Sequence, residues 1–244
     1  VEEVAARTDF AGRATLPSAM GASALSSNER QSPFLSVLYQ QYLDHQDSTS
    51  YAGKVSQFYT SGTLERLAGH PDRDVRRAAV AALGFLGDYE SNHTLGRAMQ
   101  DDDRTVRMLA ENGIRNIWNK AGNKTEQQHL GVVIRLNSAK NFAEAIFRAS
   151  ALLKKAPWFA EVWNQRAVAQ FSLGKYAESI RDGHQALEIN PYHFGAAASM
   201  GQAYLRLGNH VSALESFRRA LRLNPSLEGV RVQVTRLSRM IEDK

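Results

Sequence analysis

From Phe34 onward, apolar residues recur at three- and four-residue intervals, the spacing of helices that bury one stripe. The first stripe is Phe34, Leu35, Leu38, Tyr39 and Tyr42. It follows Ser32-Pro33, which places a proline at a first helical position. A second helix is predicted over Ser50 to Tyr59, burying Tyr51, Val55, Phe58 and Tyr59. At the far end Val230, Val232, Val234, Leu237 and Ile241 alternate with Arg231, Arg236 and Arg239, predicting a mixed-faced helix over Leu227 to Ile241.

Between these ends the pattern repeats itself, at two different steps. Trp163, Gly174, Tyr176, Ala186 and Pro191 are answered 34 residues later by Ala197, Gly208, His210, Ala220 and Pro225. The small residues let helices approach closely. Each glycine ends one helix in a left-handed cap, and each proline forbids the next helix from continuing. A more divergent unit over Glu126 to Phe159 keeps Phe142, Ala145 and Pro157 but has Lys140 at the turn-glycine position. These features resemble the tetratricopeptide repeat, a helix–turn–helix of about 34 residues. The resemblance covers Glu126 to Lys244, and the unit at Phe194 to Leu227 matches most closely.

The second step is 31 residues. Leu64, Asp72, Val75, Arg76, Ala79 and Leu83 correspond to Leu95, Asp103, Val106, Arg107, Ala110 and Ile114. Asp72 and Asp103 stand where a second helix begins, so their carboxylates can accept from N-terminal amides and favour the positive dipole end. Arg76 and Arg107 follow four residues on, within reach of the same carboxylate or of one in the adjoining repeat. This resembles the HEAT repeat over Gly62 to Trp118. The resemblance implies that Asp72, Arg76, Asp103 and Arg107 form a structural ladder along the inner face. The triplet Asp101-Asp102-Asp103 lacks the alternating oxygen ligands and glycine of a calcium loop and reads as an acidic turn.

Together these resemblances imply an all-α fold, a right-handed α-α superhelix of HEAT-like hairpins continuing into tetratricopeptide hairpins. Residues 1–32, rich in Ala, Ser and Gly with Phe10 the only aromatic, are expected to form a flexible arm, with one short helical stretch at Glu2 to Arg7. HEAT-like repeats are expected over 33–120, three tetratricopeptide units over 126–227, the first degenerate, and a capping helix over 228–244. The polar break Ala121-Gly122-Asn123-Lys124 is so short that the two arrays are expected to stack rigidly.

Composition narrows the function classes. The chain has 244 residues, 43% hydrophobic, with 30 basic against 25 acidic side chains and no cysteine. Cysteine-based zinc sites and disulfides are therefore excluded, while the compartment is left open, with the cytoplasm as the default. No apolar run is long enough to cross a bilayer. The start lacks the design of a secretory signal, and a first residue of Val1 rather than Met leaves a removed upstream segment open. The seven histidines lie in turns or singly on helices, none paired at i, i+4 for a metal, and no phosphate loop or nucleophile elbow occurs. Neither cofactor nor metal is expected, and no catalysis.

The resemblance implies a concave groove lined by first-helix side chains. Its candidates are Asn164, Gln165, Val168, Phe171 and Ser172 in one unit, and Ser199, Gln202, Leu205 and Arg206 in the next, with Ile134 and Asn137 from the first. An amide-rich groove with one guanidinium and an aromatic suits a peptide or protein segment held by hydrogen bonds and a few apolar anchors. Chaperone co-factors of the tetratricopeptide family clamp a C-terminal carboxylate with lysine and asparagine. The matching positions here are Asn164 and Val168, then Ala198 and Gln202, and the clamp is absent. The expected role is a protein-binding scaffold, monomeric by default, with stacking of repeat ends as a route to self-association. The alternative is nucleic-acid binding by the basic C-terminal end, where eight basic residues face four acidic ones from Ala196 onward. The outward placement of Arg218, Arg219 and Arg222 and the lack of interleaved aromatics weigh against it.

Overall fold

The computed structural model describes residues 34–242; the expectations for the arm at 1–32 lie outside them. Among the described residues there are thirteen α-helices and one 3-10 turn, with no strand. The chain is an all-α solenoid of hairpins. Two helices, α1 (Phe34–His45) and α2 (Ser48–Phe58), open it and pack on α4. Two hairpins follow: α3 (Ser61–Leu67) with α4 (Arg73–Leu86), and α5 (Asn92–Ala98) with α6 (Arg104–Asn119). Three longer hairpins come next: α7 (Lys124–Ser138) with α8 (Phe142–Leu153), α9 (Ala160–Ser172) with α10 (Tyr176–Ile189), and α11 (Phe194–Arg206) with α12 (His210–Leu223). The last helix, α13 (Glu228–Glu242), packs on α12.

Helix starts follow local chemistry. Asp47, Thr60, Asp72 and Asp103 each accept a hydrogen bond from a first-turn amide, satisfying a donor the helix cannot. Asn123 and Glu126 form a reciprocal capping box at α7, so the helix after the polar break starts at a fixed residue. Helix ends are as regular. Gly174 and Gly208 adopt φ of +77° and +73° between the two helices of their hairpins. Lys140, at the same point of the first long hairpin, is forced to φ +59°. A side chain there costs about 1 kcal/mol relative to glycine. Lys140→Gly is therefore expected to stabilise the chain by about that amount, read as a higher urea midpoint at unchanged slope.

One apolar expectation differs. Phe58, predicted buried, is 63% exposed and meets the half-exposed Phe34 edge-to-face at 5.1 Å. It is the last residue of α2, where the chain turns away before α3 can cover it.

The apolar interior runs as a chain of clusters that share residues. Trp163 borders both the α7–α9 and the α9–α12 clusters, and Tyr204 both the α9–α12 and the α11–α13 clusters. The cluster under α1–α6 has a further member, Phe194, from the start of α11. The short hairpins thus reach past their immediate neighbour to later turns. The Tyr192 ring fills the space that a Cβ on Gly96 of α5 would occupy. Gln100 donates to the carbonyls of Arg222 and Leu223, at 2.8 and 3.1 Å, closing the end of α12. These lateral contacts join the short hairpins to the long ones in addition to the short link at residues 121–124.

Candidate functional site

At this seam sits a buried polar network. Trp118, 3% exposed, donates its indole N–H to Asn92 at 2.7 Å, and Asn92 donates to Asn190 at 2.9 Å. The indole stacks on His193 with ring centres 4.3 Å apart. His193 Nδ1 accepts from the amide of Ala196 and caps α11, so the proton sits on Nε2, which donates to Glu161 at 2.9 Å. The other oxygen of Glu161 accepts from Gln165 at 2.7 Å and Asn164 at 3.3 Å. Burial alone would raise the Glu161 carboxyl, but the hydrogen bonds from His193, Gln165 and Asn164 outweigh it and hold the group below the usual carboxylate range. Asn137 of α7 then donates to both the side-chain and main-chain oxygens of Gln165 at 2.9 Å. A charged carboxylate thus ties α7, α9 and α11 together.

Beside this network runs an accessible strip. Gln202, Arg206 and Ser172 are exposed; Gln165, Val168, Phe171, Ser199 and Leu205 are half-buried. The Arg206 guanidinium lies 5.8 Å over the Phe171 ring, joining α11 to α9, and Phe171 leans on Tyr176 at 5.4 Å. Ser172 is tied to its own helix, donating to the carbonyl of Val168 at 3.0 Å. Leu205 packs partly into the α11–α13 cluster. Ile134 is half-buried against the α7–α9 cluster. Asn164 departs from its expected role as a groove contact. It is 8% exposed, its amide engaged with Glu161 and its oxygen sheltered, so it supports the strip from beneath.

Sequence reasoning passed over Glu161, His193 and Trp118. The available signal was spacing: Glu161 and His193 stand 32 residues apart, almost one repeat, which brings neighbouring helix starts together. A second buried pair, Arg166 bidentate on Asp182 at 2.6 and 2.8 Å, with Ser150 at 3.0 Å, locks α8, α9 and α10.

In the short hairpins Arg76 grips Asp101 with two bonds, at 2.7 and 2.8 Å, and reaches Asp102. Arg77, unremarked in the sequence pattern, makes the bidentate bond to Asp103, which it holds down at about 2. Arg107 instead donates to the carbonyls of Asp101 and Asp102. Asp72 serves its own helix, accepting from the amide of Asp74. The inter-repeat rungs are therefore Arg76–Asp101 and Arg77–Asp103. The acidic turn is occupied by guanidinium groups, and no group of three or more His, Asp or Glu able to hold a metal occurs among the described residues.

The HEAT repeats family matches residues 60–130, and the tetratricopeptide repeat family matches residues 160–193 and 196–227. The chain carries HEAT repeats followed by tetratricopeptide repeats. The buried carboxylate network lies where the HEAT hairpins meet the tetratricopeptide hairpins, and the accessible strip lies on the tetratricopeptide first helices. A TPR repeat-containing protein of Rhizobium etli is 32% identical over 128 residues, 52% of this chain and 62% of that protein. The Hsp70-Hsp90 organizing protein of Triticum aestivum is 30% identical over 94 residues, 38% of this chain and 16% of that protein. The chain thus spans less than two thirds of these curated relatives. The solved first TPR of Spaghetti bound to an HSP90 peptide superposes with a TM-score of 0.48 at 20% identity, over 50% of this chain and 96% of that one. No described helix is long and apolar enough to cross a membrane.

Proposed function

We propose that the chain is a non-catalytic interaction scaffold that holds a peptide or protein segment against the tetratricopeptide first helices. The observation that carries this reading is the strip of Val168, Phe171, Ser172, Ser199, Gln202, Leu205 and Arg206 above a locked base. Gln202 and Arg206 offer donors, Phe171 and Val168 offer apolar anchors, and Glu161 with its three donors keeps the helices from shifting underneath. Preorganisation of this kind lowers the ordering cost of binding. The name of the wheat relative refers to chaperone organisation. The carboxylate clamp is missing at Asn164, Val168, Ala198 and Gln202, so the segment bound here is read as one held along its length rather than by a terminal carboxylate.

Affinity capture from lysate of the source cells, with and without nuclease, tests the reading. Proteins retained despite nuclease are expected to be lost, by about tenfold or more, with Phe171→Ala combined with Arg206→Ala. Retention that disappears with nuclease and ignores those changes would sink the proposal.

A further inference from the structure

A second surface lies on the opposite helices of the same hairpins. Between α10 and α12 there is a cleft of about 490 Å³. Arg218, Arg219 and Arg222 line it on α12 and His184 on α10, with Leu187, Met200 and Tyr204 also in its wall. Glu215 is its one acidic lining residue. Among the described residues none of the three guanidiniums has a carboxylate within ion-pair distance; Arg218 alone makes a side-chain bond, to Ser238 at 3.3 Å. The other half-buried arginines among the described residues have partners, Arg76, Arg77 and Arg166 on carboxylates and Arg107 on main-chain carbonyls, whereas half-buried Arg219 has none; exposed arginines such as Arg97 and Arg236 also lack an ion pair.

The repeat does not require these arginines. One step earlier the equivalent positions are His184, Gln185 and Glu188. The negative end of the α12 dipole accounts for Arg222, in the last turn, but not for Arg218 or Arg219, a turn further in. Three uncompensated guanidiniums repel one another, and an oxyanion relieves that repulsion through charge-assisted bonds. The charge is local, since Glu215 lines the same cleft. That suits a short acidic segment, not a long phosphate backbone.

We propose that the α10–α12 cleft is a second binding site, for a short acidic peptide segment. It uses different residues from the strip on α9 and α11 and stands or falls separately. The test is fluorescence anisotropy with a short fluorescein-labelled glutamate peptide, its glutamine counterpart, and a labelled oligothymidylate. The acidic peptide is expected to bind and to weaken with added salt. Affinity should fall about tenfold or more with Arg219→Ala plus Arg222→Ala, exposed or half-exposed positions whose loss leaves the helical circular dichroism unchanged. Arg206→Ala, in the other surface, should leave it unaltered. Equal binding by the double variant, no preference over the glutamine peptide, or tighter binding of the oligothymidylate would each overturn the proposal.

Discussion

Replacing Trp118 by alanine is expected to remove about 3–5 kcal/mol of stability, the range for deleting a buried large aromatic. Three losses combine. The indole is 3% exposed, so the deletion opens a void between α6 and the start of α11. Its stacking on His193 at 4.3 Å and its contact with Phe194 at 5.2 Å disappear. The Asn92 oxygen, which accepts the indole N–H, is left buried without a donor, a further penalty of about 1–3 kcal/mol where water cannot enter. Trp118→Phe retains most of the packing and loses the N–H, so it should fall between the two. Because this residue joins the HEAT and tetratricopeptide repeats, urea unfolding of Trp118→Ala is expected to lose its single transition. A single transition at the wild-type midpoint would mean that the two arrays do not depend on this contact.

Glu161→Gln is expected to cost about 3 kcal/mol, although it preserves shape. The carboxylate serves three donors: His193 Nε2, Gln165 and Asn164. A glutamine has one acceptor oxygen and sets an N–H₂ against a remaining donor. The same carboxylate predicts a pH dependence. Its folded pKa lies below its unfolded value, so its contribution is present in full above the ordinary carboxylate range and is lost as pH falls through the depressed value. Asp103 acts in the same sense, its contribution fading from the ordinary 3.8 down to about 2. Urea midpoints measured from neutral pH downward should decline for the wild type, with a shallower decline in Glu161→Gln. Parallel declines would show that Glu161 is not held as a buried anion.

Features within one repeat were legible in the sequence because they occur more than once. The cap aspartates Asp72 and Asp103, the turn glycines Gly174 and Gly208 and the helix-stopping prolines Pro191 and Pro225 each announce themselves by the step between them. Contacts between repeats have no such redundancy. Asn92 meets Asn190 across 98 residues and Gln100 meets Arg222 across 122, pairings that neither step encodes. Register also leaves depth undecided. It places Glu161, Asn164 and Gln165 on one face of α9, yet whether they open to solvent depends on His193 from the next hairpin. The partner of Asp103 depended likewise on guanidinium reach, and Arg77 takes it while Arg107 turns back to main-chain carbonyls.

The central claim, that the tetratricopeptide first helices hold a protein segment, is tested most directly by site-specific photo-crosslinking in the source cells. A photoreactive side chain at Gln202, exposed in the strip, is compared with one at Arg181, exposed on α10. The expected result is a discrete protein adduct from Gln202, resistant to nuclease, abolished by Phe171→Ala with Arg206→Ala, and absent from Arg181. Adducts of equal yield from both positions, or a Gln202 adduct that survives those two substitutions, would contradict the account.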